Sequence, residues 1–462
     1  MPKLKDANVL IIKEYPNRYI SISSLLLSLG IKPYRMVNLN DPIEAVKRTF
    51  HQRFDVLICD QNYRDNQLKA ADIIAQLRAA KVIDQGTVIV MDCRAEVCKD
   101  HSYYLADIPL HPESNQRDVT DRLRTEYERK NKVWPLLNRT PSQSEQDTEK
   151  RYQFFEQHYP EWQYDLTLSR GHYYLLNQQT KYATELYGTL IKQNAKKDLT
   201  LEICYFLNAL ALNGQQKEAL ALHTKFASGK RKLGQPLTEM GAMLQLAHGH
   251  LVDAYQLLSF SQQRYGMNLT QRTGLALIGI AVGKYDQALE LFSNNLMCAK
   301  QLNQDVVQHM LNYLFALVMS WSVNQDASAL YQKKFAQLSQ QLSSSRLSES
   351  QSVQHALLNV HADCLLAKGY RASTESLLIS FDSLNSNTSQ SCQLHALYIS
   401  ALFAKESTFN RLRKEISQRK IVYMFDPLAA LNGELVKQLG WKHFCSAMAG
   451  VMPVTSQYPR YA

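Results

Sequence analysis

Phe54-Asp-Val-Leu-Ile-Cys-Asp60 decides the fold of the first third of the chain. Val56 to Cys59 are all apolar, without the polar alternation of a half-solvated strand, so this strand is buried on both faces and ends on a carboxylate. Working outward, Asn8–Ile12 (NVLII), Lys32–Val37, Thr87–Asp92 (TVIVMD) and Ala106–Leu110 read as four further strands. Helical spacing lies between them. Pro16 to Leu29 turns Ile20 and Leu27 inward and stops at Gly30. Asp41-Pro42 is a cap residue followed by proline at the first helical position. The next helix ends near Ala80, and Asn115–Lys130 is a charged amphipathic helix. Strands alternating with helices in this way predict an α/β domain with a parallel, doubly wound sheet of five strands, whose chemistry belongs at the carboxyl ends of the strands.

A composition break follows. Asn138–Lys150 (NRTPSQSEQDTEK) is polar and contains proline, which sets a linker at 133–150 and a first domain at 1–132. Beyond it strand signals vanish and a repeat begins. Thr180-Lys-Tyr-Ala-Thr-Glu-Leu186, Gly214-Gln-Gln-Lys-Glu-Ala-Leu220, Gly249-His-Leu-Val-Asp-Ala-Tyr255 and Gly283-Lys-Tyr-Asp-Gln-Ala-Leu289 align as turns between paired helices, 34, 35 and 34 residues apart. Glycine accepts a left-handed turn, and a small alanine lets the next helix approach closely. This spacing and pattern resemble the tetratricopeptide (TPR) repeat, which implies an all-α TPR-like solenoid with a concave groove for a protein target. Asn324–Leu330, Gly369–Leu377 and Glu406–Leu412 fit the same frame at longer intervals, giving a repeat array over 151–440 and a tail at 441–462. Tyrosines such as Tyr173, Tyr174, Tyr182, Tyr187 and Tyr205 suit a contact surface in such a groove, but packing is the better reading for most of them, and none is assigned to the groove. Tyr182 and Tyr285 read as packing residues at equivalent turn positions.

The first domain resembles the receiver (CheY-like) domain of two-component response regulators, and the resemblance covers residues 6–130. It is carried by Val9-Leu-Ile-Ile-Lys13-Glu14, Phe54-Asp-Val-Leu-Ile-Cys-Asp60, Thr87-Val-Ile-Val-Met-Asp92 and Asp107-Ile-Pro-Leu-His111-Pro112. The resemblance implies the flavodoxin-like fold and makes Asp60 the phosphoacceptor. It also implies Mg²⁺ held by acidic residues, a Ser/Thr at the end of strand four, a lysine at the end of strand five, and a histidine kinase or phosphotransfer protein as partner. The residues depart from that set. Glu14 keeps the second acid, Lys13 replaces the first, Asp92 stands for Ser/Thr and His111 for lysine. A weak Mg²⁺ site at Glu14 and Asp60 remains. Lys13 can instead pair with Asp60, so that standing positive charge from Lys13 and His111 makes a phosphate-independent docking module. Both readings stay open at this level.

The bulk numbers narrow the classes. The chain has 462 residues, 45% hydrophobic and 20% charged, as expected of folded domains rather than disorder. The net charge of +10 is spread out: Lys+Arg against Asp+Glu is 20 to 18 over 1–130, 3 to 3 over 131–150 and 29 to 21 beyond. No basic run interleaved with aromatics stands out, so nucleic acid is an unlikely partner. No apolar run of about 20 residues predicts membrane insertion, and Met1-Pro-Lys-Leu-Lys-Asp lacks signal-peptide character, so the expectation is a cytoplasmic protein. The eight cysteines form no C-x-x-C pair, and His361-x-x-Cys364 and His443-x-Cys445 read as core or surface residues. Nucleotide-loop, nucleophile-elbow and zinc-protease motifs are absent from the sequence, which predicts binding rather than enzymatic output.

Overall fold

The computed structural model describes residues 3–15, 19–48, 50–63, 68–84, 86–94, 105–137, 145–193, 199–228, 234–324, 328–366, 390–402 and 406–418. The chain forms two compact units. Of the described residues, the first holds those up to His248 together with Gln256–Asn268, and the second holds Gly249–Tyr255 and those from Leu269 on.

The first unit contains a parallel sheet of five strands: β1 (Val9–Ile12), β2 (Met36–Leu39), β3 (Val56–Asp60), β4 (Val88–Asp92) and β5 (Ile108–Leu110). Their order is β2-β1-β3-β4-β5. β1, β3 and β4 are buried at every position, which is why they read as continuous apolar runs. Helix α1 (Ile22–Ser28) starts where the Ser21 hydroxyl accepts the Ser24 N–H, and packs Ile22, Leu25 and Leu26 into the core under the sheet. In α2 (Pro42–Lys47), Asp41 Oδ1 accepts the Ile43 N–H at 2.8 Å and Pro42 opens the helix. Helix α3 (Ala70–Ala79) lies between β3 and β4 in sequence, and α4 (Gln116–Leu137) sets Val119, Leu123 and Tyr127 in the same core as α1.

Three boundaries differ from the sequence reading. The second strand is Met36–Leu39 rather than Lys32–Val37, because Pro33–Arg35 forms a 3-10 turn in which proline fixes φ and offers no N–H to a neighbour. Helix α1 begins at Ile22, residues 16–18 lying outside the described residues. Helix also occupies both ends of the stretch read as a linker. Helix α4 runs on to Leu137, and α5 (Glu145–His158) starts within it.

Helices then follow one another: α6 (Gln163–Leu176), α7 (Thr180–Gln193), α8 (Thr200–Leu212), α9 (Gln216–Ala227), α10 (Gln235–Ala247) and α11 (Leu251–Arg264). From Leu269 come α12 (Leu269–Ala281), α13 (Tyr285–Leu302), α14 (Val306–Val323), α15 (Ser328–Ser343), α16 (Glu349–Leu365), α17 (Gln390–Leu402) and α18 (Glu406–Gln418). Four short turns, α6–α7, α8–α9, α10–α11 and α12–α13, pass through one left-handed residue: Gln178, Gly214, Gly249 and Gly283, with φ of 61°, 84°, 81° and 77°. Five residues beyond each stands a fully buried alanine: Ala183, Ala219, Ala254 and Ala288. The first turn is therefore centred on Gln178, not Thr180, which is the first residue of α7. Glutamine has no sequence signature for a left-handed turn, so the register slipped by two there. With that correction Tyr182 is not equivalent to Tyr285, and it is exposed rather than packed.

Close helix contacts use missing side chains. Gly171 on α6 lies against the Tyr187 ring of α7, and a methyl group there would stand 2.7 Å from Tyr187 Cε1. In the second unit Phe292, Leu311, Phe315, Leu357, Ile399 and Phe409 belong to one apolar core. Among the described residues, α14 alone is long and apolar enough to cross a membrane by length and composition, and 56% of it is buried in that core. Gly369–Leu377, His443, Cys98, Cys445 and the 441–462 tail lie outside the described residues.

Candidate functional site

The carboxyl ends of β1, β3 and β4 bring four of the predicted residues close. Asp60 ends β3 and Asp92 ends β4, and the two are partners in the strand register. Lys13 follows β1, its N–H donating to Leu39 O of β2 at 3.1 Å. Its ammonium donates to Asp92 Oδ2 at 2.6 Å, and both side chains are 1% exposed. The sequence allowed Lys13 to pair with Asp60. It pairs instead with Asp92, reaching over β3, since β1 and β4 are two strand spacings apart, roughly 10 Å. Only a long, flexible side chain spans that distance.

Asp60 is held differently. Its Oδ2 accepts the Glu14 N–H at 2.9 Å, so Glu14 contributes its backbone to this carboxylate. Oδ1 is buried and has no hydrogen-bond partner among the described residues. Burial pushes the Asp60 carboxyl up to about 6. Lys13 and the Glu14 N–H oppose the rise, and Asp92 adds to it. The next residue ties the cluster down: Gln61 N–H donates to Asp92 O at 3.0 Å and Gln61 Oε1 accepts the Arg94 N–H at 3.1 Å. Gln61 Nε2 is a buried donor with no partner among the described residues. The Tyr63 hydroxyl donates to Ile12 O at 3.0 Å, fixing the segment after β3 to β1.

His111 plays another part. Its N–H donates to Ser114 Oγ at 3.0 Å and its Nδ1 accepts the Glu113 N–H at 3.2 Å, so it closes the turn ahead of α4. With Nδ1 an acceptor, the ring proton sits on Nε2. It makes no hydrogen bond or ion pair to Asp60 or Asp92. The expected pocket thus gathers Lys13, Glu14, Asp60 and Asp92, with Gln61, Tyr63 and Arg94 as additions the sequence did not flag. No signal short of the strand order could have found them.

A second polar cluster lies in the other unit. His361 Nδ1 of α16 stands 3.3 Å from His395 Nε2 of α17, and both rings are buried. In sequence the pair is marked by His361-x-x-Cys364 and its mirror, Cys392-x-x-His395. Among the described residues no three His, Cys, Asp or Glu side chains group to hold a metal ion. Comparison with known protein families, curated proteins and solved structures gives no match to this chain.

Proposed function

We propose that the chain is a response-regulator-like adaptor. In this reading a receiver-type, flavodoxin-like domain docks a histidine kinase or phosphotransfer protein, and a TPR-like solenoid holds a protein target. The strand order β2-β1-β3-β4-β5, with Asp60 and Asp92 at the carboxyl ends, supports the first half. Helical pairs turning on Gln178, Gly214, Gly249 and Gly283, each with its alanine five residues on, support the second.

The observation that carries the mode of action is the buried contact of Lys13 Nζ with Asp92 Oδ2 at 2.6 Å. A phosphorylated receiver needs a divalent cation to offset clustered carboxylates and to bind phosphoryl oxygens. These side chains do not suit Mg²⁺: Lys13 brings a fixed positive charge where a ligand is wanted, and it already occupies Asp92. His111 adds no counter-ion. The domain therefore acts as a phosphate-independent docking module within a constitutive protein scaffold, with proteins rather than nucleic acid as partners.

One observation favours a switched adaptor instead: Asp60 Oδ1 has no partner, as an acceptor awaiting a phosphoryl group would. Acetyl phosphate and beryllofluoride treatment, read by phosphate-affinity electrophoresis, separates the two. The native protein and Asp60→Ala should stay unmodified. The triple variant Lys13→Asp, Asp92→Thr, His111→Lys should gain modification at Asp60. Ready modification of the native protein, lost in Asp60→Ala, overturns the phosphate-independent reading.

A further inference from the structure

The opposite end of the sheet carries a polar joint. Asp107 stands just before β5, and its Oδ2 accepts the Ile89 N–H and the Lys130 ammonium, each at 2.7 Å. Lys130 also donates to Thr87 O at 2.7 Å, so this one buried lysine of α4 closes the amino ends of β4 and β5. Burial pulls its ammonium below the ordinary value, against the pull of Asp107.

The residue before it faces the helices. Arg129 Nη2 lies 2.6 Å from Glu126 Oε2 and 3.9 Å from Asp107 Oδ1, while Nη1 is 3.3 Å from Asp165 Oδ1 on α6. Lys132 extends the contact: its ammonium is 3.1 Å from Glu161 and sits over the rings of Tyr159 and Trp162, at 4.7 Å and 5.2 Å. One helix therefore holds the sheet through Lys130 and the first helical pair through Arg129 and Lys132.

The charges at the joint are neither free nor cheaply buried. Burial works against the Arg129 guanidinium, but Glu126, Asp165 and Asp107 together outweigh it and keep it firmly protonated. On Asp165 burial wins over Arg129, and the carboxyl is held above its ordinary value. A half-buried pair with desolvation on both sides adds little net stability, yet breaking it leaves a stranded charge. Such a contact fixes orientation, and added salt loosens its partly exposed portion.

We infer that Arg129 is a positioning residue, shared between Asp107 just before β5 and Asp165 of α6, that seats the first helical pair on the α/β domain through a salt-releasable joint. The partner of this α4 face is the chain's own α6. A protein docking to the α/β domain must use another face or open the joint. This joint lies at the opposite end of the strands from Asp60 and does not require any activity there.

Hydrogen exchange on the full chain tests it. Raising salt from about 0.05 M to about 0.5 M should speed exchange of the α6 amides in the parent by about tenfold. Asp165→Asn should show the faster rate already at low salt and respond little to more salt. Arg129→Met with Asp165→Asn should exchange no faster than the quicker single variant, because the contact Asp165→Asn removes is one that Arg129→Met already removes. Salt-insensitive exchange in the parent, with Asp165→Asn matching it, overturns the inference. So do single effects that multiply in the double variant. If Arg129→Met fails to fold, Asp165→Asn and the salt series decide alone.

Discussion

Replacing Asp60 by asparagine should make the α/β domain more stable at neutral pH, and the size of the gain follows from its surroundings. The carboxyl rises from an ordinary value of 3.8 to about 6, with burial as the largest cause. An acid whose value is raised on folding binds more protons folded than unfolded across that interval. Its ionisation therefore costs stability above pH 6, costs progressively less as pH falls, and costs nothing below the unfolded value. A rise of about two units is worth roughly 3 kcal/mol at 1.36 kcal/mol per unit, and solvent screening trims this to about 2–3 kcal/mol. Asparagine keeps the shape and an oxygen for the Glu14 N–H while removing the charge. Hydrogen exchange of the β1 and β3 amides, compared with the parent at equal pH, should slow by roughly 30- to 150-fold at pH 7.5. At pH 4 the advantage should have gone. If Asp60→Asn exchanges as fast as the parent at pH 7.5, or if a gain persists at pH 4, the carboxylate is not under the strain described.

Gly171→Ala should cost about 1–3 kcal/mol through overlap with the Tyr187 ring, and trimming that ring with Tyr187→Leu in the same chain should recover part of it, as read by thermal melts. Gly283→Val should lose about 1–3 kcal/mol although nothing lies within 4 Å of the added carbon, because the cost is in the backbone at φ 77°. A parent-like melt would place the turn elsewhere. Burial holds His361 down to about 3 and His395 well below the usual range, where His361 adds to the effect. The stability they contribute is complete above pH 6.5 and falls as pH drops, by up to about 1.4 kcal/mol per unit per ring. Urea unfolding between pH 7 and pH 5 should show this loss, and a flat profile would refute it.

Much of the fold was legible because burial on both faces leaves a plain mark. Val9–Ile12, Val56–Cys59 and Val88–Met91 are uninterrupted apolar runs, the last two each ended by an aspartate. The second strand was misplaced because Lys32–Val37 has β-forming residues and only the pairing of Met36 with Val9 shows where the ladder begins. The stretch 133–150 was read as a linker because a solvated helix and a linker share the same polar composition. At the candidate site, which residues end the strands was readable, but their bonds were not. Lys13 and Asp92 are 79 residues apart, and their contact depends on β3 lying between β1 and β4. His111 was expected as a counter-ion because it follows β5. Its ring is committed to the Glu113 N–H, which only the turn geometry reveals.

The burial of α14 has a consequence during synthesis. Leu311, Phe315 and Val318 share a core with Leu357, Ile399, Phe409 and Leu412, which lie up to 101 residues later in the chain counted from Leu311. At about 5–20 residues per second, the ribosome needs roughly 5–20 s to deliver those partners. Throughout that interval an 18-residue helix, apolar enough to pass for a membrane span, has left the exit tunnel with only the earlier half of its core to lean on. The nascent chain thus carries an apolar helix whose later core partners have yet to be made, and α14 is the segment of it that most needs shielding in that interval.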